Sequence, residues 1–420
     1  MAETLERDKV ILAGVWESSG DESYEDFLHS MDELAELAKA CDLAPEDMFT
    51  QSLEHRTSAL YMGTGKVYEI KDAVRDEGAA TVIFNDTLTP IQIRNLQKEL
   101  GVDVMDRTAL ILEIFRSRAR TREAKLQVEV ARLSYMKPRL IGMWEKQNRQ
   151  GGTSGSQSTR GEGETQLEID RRTIDHRLAQ MRRELKEVEK ERVTQRKRRQ
   201  SAGIPLVALV GYTNAGKSTI MNSFVRRYSK EEKQVFEADM LFATLDTTVR
   251  KISAERGHDF LLSDTVGFIQ KLPTGLVEAF KSTLEEVREA DLILHIVDYS
   301  DIHYQDHIDT TKRTIAELGA GDVPMITVLN KCDKRPDTEY PRRGPESRHD
   351  ASVYISAKDS VSLDMLRDCI LDAVYGKLVE ETELIPYSDG ARIASLLGRG
   401  QVTSQEYTDE GVRVTYRRRI

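Results

Sequence analysis

One octapeptide constrains this chain more than any other stretch. Gly211-Tyr212-Thr213-Asn214-Ala215-Gly216-Lys217-Ser218 has two glycines with four residues between them, then a lysine and a hydroxyl residue. The apolar run Leu206 to Val210 leads in as a buried strand, and Thr219 to Arg227 leads out with helical character. That strand–loop–helix context separates the motif from a bare Gly-rich turn. The glycines let backbone N–H groups wrap a phosphate, and the helix N-terminus adds positive potential. Lys217 would then reach the β- and γ-phosphates, and the Ser218 hydroxyl would ligate Mg²⁺. The stretch predicts a nucleotide site.

At 420 residues the chain has room for more than one domain, and 39% hydrophobic content is enough to build cores. With 31% charged residues and no apolar run of about 18 residues, it reads as soluble, with no transmembrane helix. Its start, Met-Ala-Glu-Thr-Leu-Glu-Arg-Asp, lacks the basic-then-apolar layout of a signal peptide. Cys41, Cys332 and Cys369 stand far apart, which disfavours a disulfide framework or a zinc module and fits a reducing cytoplasm. A net charge of −10 argues against a surface that is basic throughout, but leaves room for a local basic patch.

Four parts are expected. Residues 1–145 alternate strand-like and helix-like pieces: strands at Val10–Val15, Asp47–Leu53, Ala80–Phe84 and Val102–Val104, helices at Ser30–Ala40, Gly65–Arg75 and Thr89–Leu100. A long amphipathic pattern follows from Arg107 to about Leu133. Such alternation predicts a small α/β domain with a parallel sheet. Gly63-Thr-Gly65-Lys66 imitates a phosphate loop but lacks the spacing, and is read as a turn before a helix. Residues 146–200 hold a Gly/Ser/Thr/Gln tract (146–165) and then a heptad seam of Leu167, Ile174, Met181 and Val188, with Leu178 and Leu185 interleaved. Arg171 and Arg192 break that seam, and the arm ends in Arg196-Lys-Arg-Arg199. A solvated face and a phosphate-backbone contact are both open readings of this basic run. Residues 201–378 form the nucleotide domain. Residues 379–420 read as a small module with a turn at Pro386–Gly390, a short helix, a strand at Val412–Tyr416 and no deep core of its own.

The base is chosen downstream of the phosphate loop. Asn330-Lys331-Cys332-Asp333 follows an apolar strand, and a carboxylate at Asp333 accepts hydrogen bonds from guanine N1–H and the 2-amino group, which adenine does not offer in that arrangement. Ser356-Ala357-Lys358, after another strand, would bring a backbone N–H near guanine O6. Three motifs in order, each at the carboxyl end of a strand, favour GTP over ATP. Between them, Asp264-Thr265-Val266-Gly267 would hold Mg²⁺ through Asp264 and sense the γ-phosphate through the Gly267 amide, making Phe268–Glu278 one candidate switch. Phe242-Ala243-Thr244-Leu245-Asp246 lies in the other. Thr244 is the chosen Mg²⁺ ligand there, with Thr247 and Thr248 as rivals. Phe268 stands where Ras-like enzymes place a water-orienting glutamine, so intrinsic hydrolysis should be slow unless a cation, a partner or another residue completes the site. Asn214 reads equally as a monovalent-cation ligand or as a residue that shapes the turn. His303, Asp306 and His307 have metal-like helical spacing, but the segment is polar and no Glu follows the first His, so no metal site is expected there.

These residues resemble the HflX family, bacterial ribosome-associated GTPases of the translation-factor-related class. The resemblance rests on Gly211–Thr219, Phe242–Asp246, Asp264–Phe268 and Asn330–Asp333, and equally on Gly161–Arg172 and Thr121–Gln127 outside the nucleotide domain. It implies a P-loop GTPase domain preceded by a small α/β domain whose coiled-coil-like arm docks on the 50S subunit, near the 23S rRNA of the peptidyl-transferase region. It implies catalysis through Lys217, Asn214 and Gly267, with Mg²⁺ at Ser218, Thr244 and Asp264 and K⁺ assistance at Asn214. It also implies a GTP-controlled switch that splits stalled or idle ribosomes under stress. A hydrophobic Phe268 is shared with this class. The sequence departs from the family at Asp246-Thr-Thr-Val-Arg250, where the family usually reads Asp-Pro-Thr-Thr-Arg. The alternatives are a GTPase assisting tRNA modification, a ribosome assembly factor, or an RNA-binding adaptor with a vestigial nucleotide site.

Overall fold

A computed structural model describes residues 8–150, 169, 171–188, 190, 203–229, 248–255, 258–265, 267–268, 286–344, 351–376, 378–398 and 402–419. Among these, residues 8–190 belong to one compact unit and residues 203–419 to a second. No helix among the described residues is long and apolar enough to cross a membrane.

The first unit is built on a four-stranded parallel sheet in the order β2-β1-β3-β4, with β1 at Lys9–Glu17, β2 at Ala44–Leu53, β3 at Thr81–Phe84 and β4 at Asp103–Asp106. Val10 to Ala13 and Val15 of β1 are all buried, the continuous apolar run expected of a central parallel strand covered on both faces. Helix starts are written locally. Ser23 caps α1 (Tyr24–Ala40) by accepting from Asp26 N, and Thr89 forms a capping box with Gln92 ahead of Pro90 in α3 (Pro90–Leu100). Gly63-Thr-Gly-Lys66 is the entry to α2 (Thr64–Glu77), as expected: Gly63 is the N-cap, and its N–H donates to Gln51 Oε1 at 2.8 Å.

The pattern from Arg107 to Leu133 is not one helix. It divides into α4 (Arg107–Arg118) and α5 (Arg122–Gln150), because Thr121 starts a new helix by accepting from Ala124 N at 3.1 Å. α5 carries Pro138 within it and continues past residue 145 to Gln150, so its end overlaps the start of the polar tract. A further helix, α6, spans residues 171–188. Its Ile174, Leu178, Met181 and Leu185 pack with Val130 and Leu133 of α5. The ion pairs Lys137–Asp175, Arg177–Glu129 and Arg122–Glu184 run in opposite order along the two helices, so the hairpin is antiparallel. Leu167, most of the Gly-rich tract and Arg192–Arg199 lie outside the described residues.

Arg107, only 2% exposed, sits at the heart of this unit. It donates to Ser30 O at 3.1 Å and Asn85 Oδ1 at 2.8 Å, and pairs with the buried Glu33. The paired carboxylate and these acceptors are what make a buried guanidinium tolerable.

The second unit holds a seven-stranded sheet in the order β10-β11-β9-β8-β5-β7-β6, parallel except at the two edges. The strands are β5 (Leu206–Gly211), β6 (Thr248–Glu255), β7 (His258–Asp264), β8 (Leu292–Asp298), β9 (Met325–Asn330), β10 (Arg342–Arg343) and β11 (Ala351–Tyr354). Its core joins Val207 and Leu209 of β5, Leu292 and Leu294 of β8, Ile220 and Phe224 of α7 (Lys217–Tyr228), and Leu366 and Ile370 of the helix Ser360–Tyr375. The tail forms more than the single expected strand. Leu378–Ile385, Val402–Thr408 and Gly411–Arg419 make an antiparallel sheet, and Ile385, Leu396, Val412, Val414 and Tyr416 give it a small buried core.

Candidate functional site

The phosphate loop begins where β5 passes β8. At Gly211 (φ 151°) a Cβ would lie 2.1 Å from Ile296 O, so no larger residue fits without moving the strands apart. Asn214 is exposed and left-handed (φ 59°), and Gly216 (φ 97°) is the N-cap of α7 with no side chain to block the helix end. Tyr212, Thr213 and Ala215 are buried, and Thr219 is half-buried in the first turn of α7. Lys217 folds back so that Nζ donates to Gly211 O at 2.9 Å and Tyr212 O at 2.7 Å. Burial, opposed by attraction from Asp264, brings its ammonium down to about 8. The loop therefore curls around a cationic nitrogen at the mouth of a helix, a setting suited to a polyanion.

Asp264 ends β7 with no exposed surface, and Ser218 Oγ donates to its Oδ2 at 2.8 Å. A hydroxyl and a buried carboxylate converging in this way form a donor set of hard oxygens suited to Mg²⁺. Thr265 Oγ1 donates to Leu209 O at 2.6 Å and pins the segment to β5. Gly267 then lies flat on the phosphate loop: a Cβ there would approach Thr213 Cγ2 to 2.8 Å and Lys217 Nζ to 3.0 Å. Phe268 forms a parallel bridge with Tyr212. Its N–H donates to Gly211 O at 3.1 Å, and its carbonyl accepts from Thr213 N at 2.9 Å. The residue expected to sense the γ-phosphate thus lies against the phosphate loop. Val266, Ile269–Glu278, Phe242, Ala243, Thr244, Leu245, Asp246 and Thr247 lie outside the described residues. Thr248, a rival of Thr244, opens β6 opposite Asp264.

At the other end, Asn330 is 1% exposed and ties the motifs together. Its Nδ2 donates to Ala215 O at 2.9 Å, and its Oδ1 accepts from Ala357 N at 2.9 Å. That engages one backbone donor of the Ser356-Ala357-Lys358 turn, while Lys358 N donates to Ser356 Oγ at 3.4 Å. Lys331 is left-handed and its Nζ meets Asp298 Oδ2 at 2.8 Å. Burial pushes the Asp298 carboxyl up, but hydrogen bonds from Lys331 and Ser300 outweigh it and hold the group below its usual range. Cys332 is buried under Leu329 O, and Asp333 stands exposed on a single 3-10 turn.

Two contacts escaped the sequence reading. Asp298 was not singled out, although a carboxylate at the end of a buried strand was the available signal. The Tyr212 ring stacks flat on His307, with centroids 3.9 Å apart and planes within 9°. His307 Nδ1 lies 3.8 Å from Asp301, and His303 Nδ1 lies 3.6 Å from Asp306.

The chain matches three family models: "GTP-binding GTPase N-terminal" over residues 28–116, "GTP-binding GTPase Middle Region" over 118–199, and "50S ribosome-binding GTPase" over 206–331. It is 42% identical to the GTPase HflX of Caldanaerobacter subterraneus subsp. tengcongensis over 98% of this chain and 92% of that protein. It is 41% identical to that of Alkalihalophilus pseudofirmus (97% and 93% covered) and 38% identical to that of Escherichia coli K12 (91% and 88%).

Proposed function

Because the chain belongs to the HflX family of GTPases, we propose that its GTP cycle times a binding event on the 50S ribosomal subunit and splits stalled or idle ribosomes under stress. The observation that carries this reading is the joining of phosphate, metal and base motifs by short contacts: Ser218 to Asp264, Phe268 to Tyr212 and Thr213, and Asn330 to Ala215 and Ala357. In this reading Lys217 and the loop N–H groups bind the β- and γ-phosphates, the Gly267 amide reports whether the γ-phosphate is present, and Asp333 selects guanine. Mg²⁺, when bound, would offset the charge that develops on the phosphate oxygens. Ser218, Asp264 and Thr244 are assigned to it. Asn214, exposed at the loop's crest, is assigned to K⁺.

The ribosomal end rests on the α5–α6 hairpin. Arg171, Arg172, Arg177, Arg182, Arg183 and Lys186 are exposed on α6, and Lys190 is exposed two residues beyond it, in a chain whose net charge is −10. Such a basic face suits the phosphate backbone of 23S rRNA near the peptidyl-transferase region. The free thiols Cys41, Cys332 and Cys369 suit a cytoplasmic protein, which we take to act as a monomer. The four-part division at residues 145, 200 and 378 belongs to the same proposal.

GTP turnover with and without purified 50S subunits, in K⁺ and again in Na⁺, tests the reading. Strong stimulation by 50S, larger in K⁺, is expected. Fast turnover without subunits, or no response to them, would overturn it.

A further inference from the structure

The turn that carries Asp333 is held on both sides. Lys331 precedes it and reaches Asp298 at 2.8 Å. Arg335 follows it and closes the turn Cys332–Lys334, its N–H donating to Cys332 O at 3.0 Å. The Arg335 side chain then crosses to the segment after β8. Its guanidinium donates to Asp301 O at 3.2 Å and lies 4.2 Å from the centre of the Tyr299 ring, with the Tyr304 ring at 5.4 Å. Tyr299 is a fixed platform. Its backbone N–H donates to Asn330 O at 2.9 Å, and its ring meets Tyr304 and Tyr354 edge-on at 5.1 and 5.3 Å. Asp333 itself is exposed, so the direction of its carboxylate is set by the backbone on either side.

We propose that Arg335 is a positioning residue for base recognition: stacked on Tyr299 and Tyr304, it fixes the angle at which the Asp333 carboxylate meets guanine N1–H and the 2-amino group. The inference rests on the reading of Asp333 as the base reader. A two-point hydrogen bond needs both carboxylate oxygens in line with both donors, and a turn free to pivot loses one of them first. A planar guanidinium can lie flat on a ring and donate in its own plane to a carbonyl at once, a geometry that a compact ammonium on a flexible stem holds less rigidly. Arg335 touches neither phosphate-loop residues nor Asp264 through these contacts, so its effect should appear in discrimination between bases.

Inosine diphosphate, which lacks the 2-amino group, is the probe. Calorimetric Kd values for GDP and IDP, with Mg²⁺ and the full chain, give a discrimination ratio for wild type, Asp333→Asn, Arg335→Ala, Arg335→Lys and the Asp333→Asn/Arg335→Ala double variant. Arg335→Ala should lower the ratio by at least about threefold, a fraction of one hydrogen bond. Arg335→Lys should behave as Arg335→Ala does, and in the double variant the Arg335 change should have no further effect on the ratio. An unchanged ratio in Arg335→Ala, or equal weakening of GDP and IDP on both backgrounds, assigns Arg335 a merely structural role and overturns the proposal. If Asp333→Asn itself leaves the ratio unchanged, the reading of Asp333 fails instead.

Discussion

Replacing Asn330 by Ala tests whether the phosphate loop and the base-recognition turns are one mechanical unit. Asn330 is buried at the end of β9 between two loop residues that are also buried, Ala215 at 1% and Ala357 at 4% exposed. The substitution removes one donor from Ala215 O and leaves the Ala357 N–H without its acceptor. Losing an ordinary hydrogen bond costs about 1 kcal/mol, and stranding a buried donor costs about 1–3, so the sum is about 2–4 kcal/mol. For a unit of this size that is a fall in Tm of about 4–16 °C at roughly 2–4 °C per kcal/mol. If nucleotide must re-order the loops on binding, the same energy appears in affinity as about 30- to 1,000-fold weaker GDP binding. Calorimetric melting of the nucleotide-free chain and GDP titration with Mg²⁺ read the two effects separately. A Tm within about 2 °C of wild type together with a GDP Kd within about threefold would refute the reasoning, since neither loop would then depend on this side chain.

The remaining predictions concern charges held out of water. Lys217 titrates at about 8 in the folded chain against its usual 10.5, because burial outweighs the attraction of Asp264. Between those values the unfolded chain binds the proton that the folded chain has released, so stability rises with pH from about 8 to about 10.5, and the full penalty stands below 8. Denaturation of wild type and Lys217→Met across that range, without nucleotide, should show the wild-type advantage growing; taking the difference removes cysteine and tyrosine titrations, and a flat difference would contradict the assignment. In the other unit, Arg107→Ala leaves Glu33 buried without its cation and should cost about 3–5 kcal/mol in urea denaturation, while replacing both partners with Met and Leu should recover most of it. A loss below about 1 kcal/mol would mean that water reaches the pair.

What the sequence made legible was what lies contiguous in it. Gly211–Ser218 and Asn330–Asp333 are loops whose backbone conformation and chemistry are written in a few adjacent residues, and Thr89-Pro90 announces a helix start for the same reason. The break between α4 and α5 was also local, since Thr121 is an N-cap residue, but no Pro or Gly marks it and the cap was passed over. The tail strands Leu378–Ile385 and Val402–Thr408 were missed because a sheet exposed on one side spends alternate positions on Glu, Thr, Ser and Gln, leaving little apolar signal. Long-range partners left no local trace: Arg107 finds Glu33 at a separation of 74 residues, and Lys331 finds Asp298 only because β8 and β9 pair. The strand order supplies what spacing cannot. Reading across the sheet from β11 through β9, β8 and β5 to β7, the carboxyl ends present Ser356–Lys358, Asn330–Asp333, Asp298, the phosphate loop and Asp264 in turn. In the proposed reading that row runs from base to phosphate to metal, although in the chain β5 comes first and β11 last. A nucleotide laid along it would be measured from end to end by neighbouring strand ends, which is why Asn330, second in the row and bonded to Ala357 on one side and Ala215 on the other, is the residue whose loss should be felt in both the base-recognition turn and the phosphate loop.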